Sequence, residues 1–380
     1  MSTTIPTTTT PSRQAPEPAG QRFAALDAGR FIAAIAVIYW HSVTDPTCRR
    51  YLGLATWSVP FFSAAAVYLL ANGLARNPLR PFGAYARERV VRIGAPFVAW
   101  SAVYLLARNA EHLLVAGKPA VPLEWAMLWG STAHHLWFLP FIMGVCLVLF
   151  LPLRAMQRHR FLIPIIATLS LAGAAAILAL PGPPKGLEYL LMQAWVTTPA
   201  VLGAVALACA ASLWRLGWAT TIRWPLLALA VIAVLLNVAA SPPKLSGDGV
   251  GPGMPGQSDV RVRASPDLPL ATMPQNVSTP PAFWSEHGTA NLAGVLALLL
   301  CLCNWHSDFL PRFRPWGALA YGIYLVHILF VIVARLVLQR GLHLDTGPAV
   351  SLLTFAFSAL CSVAAAWLLL RSRWTKWLCP

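Results

Sequence analysis

Apolar stretches long enough to cross a bilayer recur from one end of the chain to the other, separated by short polar connections. Ten of them are predicted as membrane helices, at about 23–43, 54–75, 92–113, 134–152, 161–180, 188–211, 222–240, 288–306, 315–338 and 347–370. Each comes near the ~20 apolar residues that a helix needs to cross the hydrocarbon core. The predicted fold class is therefore all-α: a polytopic membrane helical bundle of about ten transmembrane helices. The third stretch is the least clean, because Arg108, Glu111 and His112 crowd its far end.

The stretches between the helices organise the rest. Residues 1–20 are rich in Thr, Pro, Ala and Gln and read as a disordered tail. They lack the succession of charged and apolar regions that marks a cleaved signal peptide. Residues 21–380 read as one integral-membrane domain. Its longest connection, about 241–287, is rich in Pro, Gly and Ser and reads either as a lid or substrate guide or as a plain linker.

Composition settles the class. Hydrophobic residues make up 57% of the chain and charged residues 11%, too few charges for a soluble protein of 380 residues. The net charge of +15 would suit nucleic acid in a soluble chain. Here the basic residues sit in short loops and fall mostly into alternate ones, which is the pattern of membrane orientation, so no nucleic-acid partner is expected. The basic-rich loops include Arg76, Arg80, Arg87, Arg89 and Arg92, then Arg154, Arg158 and Arg160. The positive-inside rule places these, and both termini, in the cytoplasm, as an even number of spans also requires. The seven cysteines show no CxxC spacing and imply neither a disulfide framework nor a zinc site. No metal is expected.

Against this apolar background the ionisable residues of the first stretch stand out: Asp27, Arg30 and His41. Charge inside a membrane helix is costly and marks a functional site by default. Arg30 and His41 are 11 residues apart, which is three turns plus about 20°, so both lie on one stripe, ~16 Å apart along the axis. His41 is a candidate general base or nucleophile; the structural alternative is a hydrogen bond between helices. Arg30 must meet an anion, which is Asp27 one turn away, a phosphate, or the oxygen of a reacting carbonyl. Arg87, Arg89 and Arg92 form a cytoplasmic cluster in which Arg89 and Arg92 share a helical face suited to a phosphate-bearing ligand. Arginines beside a cytoplasmic helix end are also what topology alone requires. Trp137, beside His134 and His135, reads as a sugar-stacking platform or an interfacial anchor. Adjacent helical residues point about 100° apart, so this His pair is not a chelate. His327, inside the ninth stretch, reads as a second acid–base group or a polar contact. No P-loop, nucleophile elbow, dinucleotide fingerprint or HExxH is present.

Five short stretches, taken in order, resemble the membrane acyltransferase-3 family. They are Arg30 to His41 following Leu26-Asp27-Ala28-Gly29, then Val59-Pro60-Phe61-Phe62-Ser63, then Arg89-Val90-Val91-Arg92-Ile93 with Pro96 after it. Leu136-Trp137-Phe138-Leu139-Pro140 and Tyr321-Gly322-Ile323-Tyr324-Leu325-Val326-His327 complete the set. The departures are local. Ser63-Ala64-Ala65-Ala66 replaces the usual small-residue turn, and Gly29 stands where a bulky residue is usual.

The resemblance implies transfer of an acyl group, most often acetyl, from cytoplasmic acyl-CoA to a carbohydrate hydroxyl across the membrane. His41 and Arg30 would be the catalytic pair, and Arg87, Arg89 and Arg92 would hold the phosphates of the donor. Asp27, His135, Trp137 and His327 would line the acceptor side. Within the family the chain resembles the exopolysaccharide O-acetyltransferases of the xanthan type. That implies acetyl-CoA as donor, a polysaccharide or lipid-linked oligosaccharide as acceptor, polysaccharide assembly proteins as partners, and a multi-pass place in the bacterial inner membrane. The competing class is a transporter for a lipid-linked glycan, against which stands the lack of an internal repeat.

Overall fold

The computed structural model describes residues 24–49, 51, 55–114, 132–133, 135–179, 189–214, 310–345 and 347–379, with short helical pieces between 225 and 302. The tail at 1–20, most of the stretches predicted at 222–240 and 288–306, and the connection at 241–287 lie outside the described residues. Among the described residues every regular element is helical.

Among the described residues the main helices are α1 (Ala24–Ser42), α2 (Ser58–Arg76), α3 (Phe82–Arg89), α4 (Ala95–Leu114), α5 (Phe138–Arg158), α6 (Leu162–Ala179), α7 (Tyr189–Trp214), α8 (Arg314–Arg335) and α9 (Pro348–Arg371). A π-helical turn at Val90–Gly94 joins α3 to α4, and a second at Leu336–Gly341 extends α8. Seven helices among the described residues are long and apolar enough to cross a membrane: Ser58–Arg76, Phe82–Ala110, Phe138–Arg158, Leu162–Ala179, Ala194–Ser212, Arg314–Gln339 and Pro348–Arg371. Helix α1 is not among them, because Asp27, Arg30 and His41 dilute its apolar content. The third predicted span starts ten residues earlier than its apolar pattern, at Phe82, because the buried Tyr85 ring stacks on Phe150 at 4.7 Å and anchors α3.

Helix α9 is apolar outward and mostly small or polar inward, which is the membrane inversion of a soluble helix. On α9, Ser351, Thr354, Ser358, Ser362 and Ala366 recur at three- and four-residue spacing and are buried. Leu352, Leu353, Leu360 and Leu368 face outward, Leu360 with 73% of its surface exposed. Thr354 satisfies its hydroxyl by donating to the Val350 carbonyl at 2.7 Å. Exposed leucine, valine and isoleucine recur on α4, α5, α6 and α9, and one multi-pass membrane protein accounts for all of them.

Helix α8 lies at the centre, packed against α1 and α9; α1 also touches α2, which continues the layer to α5 and α7. Helices α1 and α8 run parallel, since Asp27 meets Gly317 near both starts and His41 meets His327 further along. A Cβ at position 317 would fall on Asp27, within 2.8 Å of its Cα, so only glycine permits this approach. At the far end of α1, the Asp45 and Thr44 amides donate to Ser351 Oγ at 3.0 and 3.3 Å, and Tyr39 Oη donates to the Cys48 carbonyl at 2.9 Å. The two amide bonds clip the end of α1 to the start of α9.

Beyond α9 the chain turns back into the bundle. A short 3-10 turn, Lys376–Leu378, brings the Leu378 carbonyl to Trp100 Nε1 at 3.3 Å. Cys379 is fully buried, and a Cβ on Gly322 would stand 3.2 Å from its Sγ and 2.9 Å from Ala366. Burial pushes the Cys379 thiol up to about 12, so it stays protonated at neutral pH.

Candidate functional site: a histidine cluster beside the end of α1

Helix α1 holds its ionisable groups on one stripe, as their spacing predicts. Arg30 Nη1 lies 3.4 Å from Asp27 Oδ1, an ion pair between residues one turn apart. The pair turns the guanidinium toward the start of α1, away from His41.

Three histidines that are far apart in the chain meet beside the other end of α1. The His41 and His327 rings are 5.3 Å apart between centroids and inclined by 34°. The His135 ring meets His327 edge-on at 4.9 Å. His327 stands in the middle and is fully buried, His135 is nearly so, and His41 is partly exposed. His41 is thus the member of the cluster open to an incoming group.

Two tyrosines frame the cluster. On α8, Tyr324 and His327 are three residues apart and share a face. His327 Nδ1 is 2.6 Å from the Tyr324 carbonyl. A carbonyl only accepts, so Nδ1 carries the proton, and Nε2 is the basic nitrogen of the neutral ring. Tyr324 Oη donates to the His135 carbonyl, tying the turn before α5 to α8. On α4, Tyr104 Oη donates to the Leu325 carbonyl at 2.7 Å, and its ring meets His135 edge-on at 5.1 Å. Four segments of the chain, α1, α4, the turn before α5, and α8, therefore hold the three imidazoles.

A residue outside the candidates named from sequence also reaches the cluster. Arg335, in the last turn of α8, donates from Nη2 to the His41 carbonyl at 2.8 Å. That carbonyl belongs to the final turn of α1, where backbone acceptors lack helical partners. Among the described residues no carboxylate lies within ion-pair distance of Arg335. The signal available in the sequence was an arginine inside the predicted ninth span, eight residues after His327.

The arginine cluster lies at the opposite end of α4. Glu88 pairs with Arg80 and, at 3.2 Å, with Arg92, which is well exposed. Arg89 instead stacks over the Tyr85 ring at 4.9 Å, and Arg80 covers the same ring at 5.1 Å. Arg89 and Arg92 thus face different partners, and the reason is the π turn: it widens the helix after Arg89 and changes the angle between residues three apart. Arg87 is exposed. Trp137 is buried against Phe138 and Phe141, at 5.8 and 5.6 Å, and packs as a core side chain. Among the described residues, no group of three or more His, Cys, Asp or Glu side chains has the geometry to hold a metal ion.

The arrangement can perform proton transfer at the His41 end while presenting cations at the Arg92 end. A family model described as an acyltransferase domain matches residues 23–371, nearly the whole chain. Comparison with curated proteins and with solved structures finds no match.

Proposed function

This chain belongs to the acyltransferase-3 family and is a multi-pass membrane acyltransferase; from that premise we propose that it moves an acetyl group from cytoplasmic acetyl-CoA to a sugar hydroxyl outside the membrane. The acceptor in this reading is an extracytoplasmic polysaccharide or its lipid-linked precursor, made for exopolysaccharide at the bacterial inner membrane. The observation that carries it is the partly exposed His41 ring set against the buried His327. A lone imidazole on a membrane helix has an ordinary structural use, whereas three converging at one helix end have a chemical one.

Each end of the bundle has a task. The exposed Arg87 and Arg92 meet the donor's phosphates, with Arg80 and Glu88 holding Arg92 in place. The parallel course of α1 and α8 fits an even number of crossings before α8, with both termini on one side, and in this reading the basic loops make that side the cytoplasm. His41 acts as general base: it takes the proton of the acceptor hydroxyl as that oxygen attacks the thioester carbon. His327, with its proton held on Nδ1 by the Tyr324 carbonyl, supports the ring of His41 from behind.

Proteoliposomes loaded with a lipid-linked glycan test the reading. Labelled acetyl-CoA supplied on the cytoplasmic face is expected to release CoA and leave its acetyl group on glycan at the opposite face. Glycan crossing intact with no acetyl-CoA consumed would establish a transporter instead. Label trapped on the protein without acceptor would replace the general base with an acetyl-histidine intermediate.

The arginine end yields a separate expectation. Arg92→Ala should raise KM for acetyl-CoA about tenfold with kcat unchanged, the effect of losing one charge-assisted contact. Arg89→Ala should instead lower the melting temperature in detergent, because its guanidinium covers Tyr85; a cation–π contact contributes about 0.5–2 kcal/mol.

A further inference from the structure

Arg30 is the arginine that the family resemblance pairs with His41, yet it cannot serve the same reacting carbonyl. Their separation along α1 is ~16 Å, and an arginine side chain spans less than half of that. Its guanidinium is also turned away, toward Asp27 at 3.4 Å. A carbonyl under attack must lie close to both the group that takes the proton and the group that receives the developing negative charge. Arg335 reaches the same residue: its Nη2 is 2.8 Å from the backbone carbonyl of His41.

We propose that Arg335, rather than Arg30, supplies the positive charge that stabilises the oxyanion of acyl transfer at His41. The inference deepens the acyltransferase reading above and rests on it. A guanidinium has five N–H donors in a fixed fork, and one of them suffices for the His41 carbonyl. Arg335 also stands where α8 passes into the π turn Leu336–Gly341, an irregularity that recurs at functional sites.

In the step that follows from this geometry, the acceptor oxygen forms a bond to the thioester carbon and its proton passes to the His41 imidazole. The carbonyl electron pair moves onto oxygen, where the Arg335 guanidinium holds the charge. The pair returns, the carbon–sulfur bond breaks, and the departing thiolate takes the proton back from the imidazolium. The products are the sugar ester and CoA thiol, with His41 neutral again. Arg30 keeps a different task, positioning the donor deeper in the bundle.

The competing account is that Arg335 only caps α1, since a cation at a helix C-terminus is favourable in itself. Arg335→Gln separates the two, because glutamine can still donate to a backbone carbonyl but carries no charge. In purified protein reconstituted with acetyl-CoA and glycan acceptor, Arg335→Gln is expected to lower kcat by ~10²–10³-fold with KM for acetyl-CoA little changed. Arg335→Lys should recover part of the loss, and added guanidinium ion should partly rescue Arg335→Ala. Arg30→Gln should mainly raise KM for the donor. Retention of near wild-type kcat by Arg335→Gln, or a kcat loss confined to Arg30→Gln, would overturn the proposal. Should Arg335→Gln not accumulate, Arg335→Lys decides: a lysine variant that folds yet is no more active than Arg335→Ala without added guanidinium overturns it, since a local charge would then be of no use. Absence of transfer by the wild-type protein would sink the acyltransferase reading itself, and so is distinguishable from failure of Arg335.

Discussion

Replacing His41 by alanine is expected to strip acetyl groups from the host's polysaccharide while leaving the polymer in place. His41 is the one of the three clustered imidazoles with surface open to an incoming hydroxyl; His327 is fully buried and His135 nearly so. Neither can move into the role without unpacking α8 or the turn before α5. Loss of a positioned general base typically costs ~10²–10⁴-fold, which is enough to erase the acetyl signal in a proton NMR spectrum. The measurement compares a deletion strain complemented with wild type or with His41→Ala at equal expression. Full acetylation by His41→Ala would transfer the base role to His327. Loss of the polymer altogether would favour export or assembly over acylation.

The second large effect is expected at Gly317. A side chain there meets the backbone of α1, not the tip of a flexible side chain, with Asp27 Cα 2.8 Å from the would-be Cβ. Helices α1 and α8 must then separate, and the displacement reaches His41 and His327 because each ring rides on one of the two helices. Overpacking of this kind costs about 1–3 kcal/mol. Gly317→Leu is expected to lower the melting temperature in detergent and to lose transfer activity in the fraction that folds. Gly317→Ala should show the same loss in smaller measure. An alanine variant with wild-type melting and rate would show that the seam between α1 and α8 yields freely.

Much of this architecture was legible in the chain. The stripe on α1 and the Asp27–Arg30 pair follow from helical spacing alone, and the described helices fall close to eight of the ten apolar stretches. The meeting of His41, His135 and His327 was only half legible. Alternation of the predicted spans puts His41, at the end of the first, and His135, at the start of the fourth, on one side of the membrane, but which face of α8 turns inward depends on Ser351, Ser358 and Ala366 of α9 being small enough to let it. Arg335 was hidden for a related reason: an arginine within an apolar run looks like an ordinary snorkelling residue until the run's neighbours are known. Regular α geometry puts Arg89 and Arg92 on one face, and the π turn at Val90–Gly94 parts them. Trp137 carried the pattern of an interfacial anchor, and the aromatic packing of Phe138 and Phe141 decided otherwise.

The return of residues 372–379 into the bundle has a mechanical consequence. A tether attached after Cys379 would not pull on the end of α9. Its load would pass through Leu378 to Trp100 on α4 and through the buried Cys379 to Gly322 on α8, five residues from His327. Tension applied there reaches the centre of the bundle before the helix next to it in sequence feels any force.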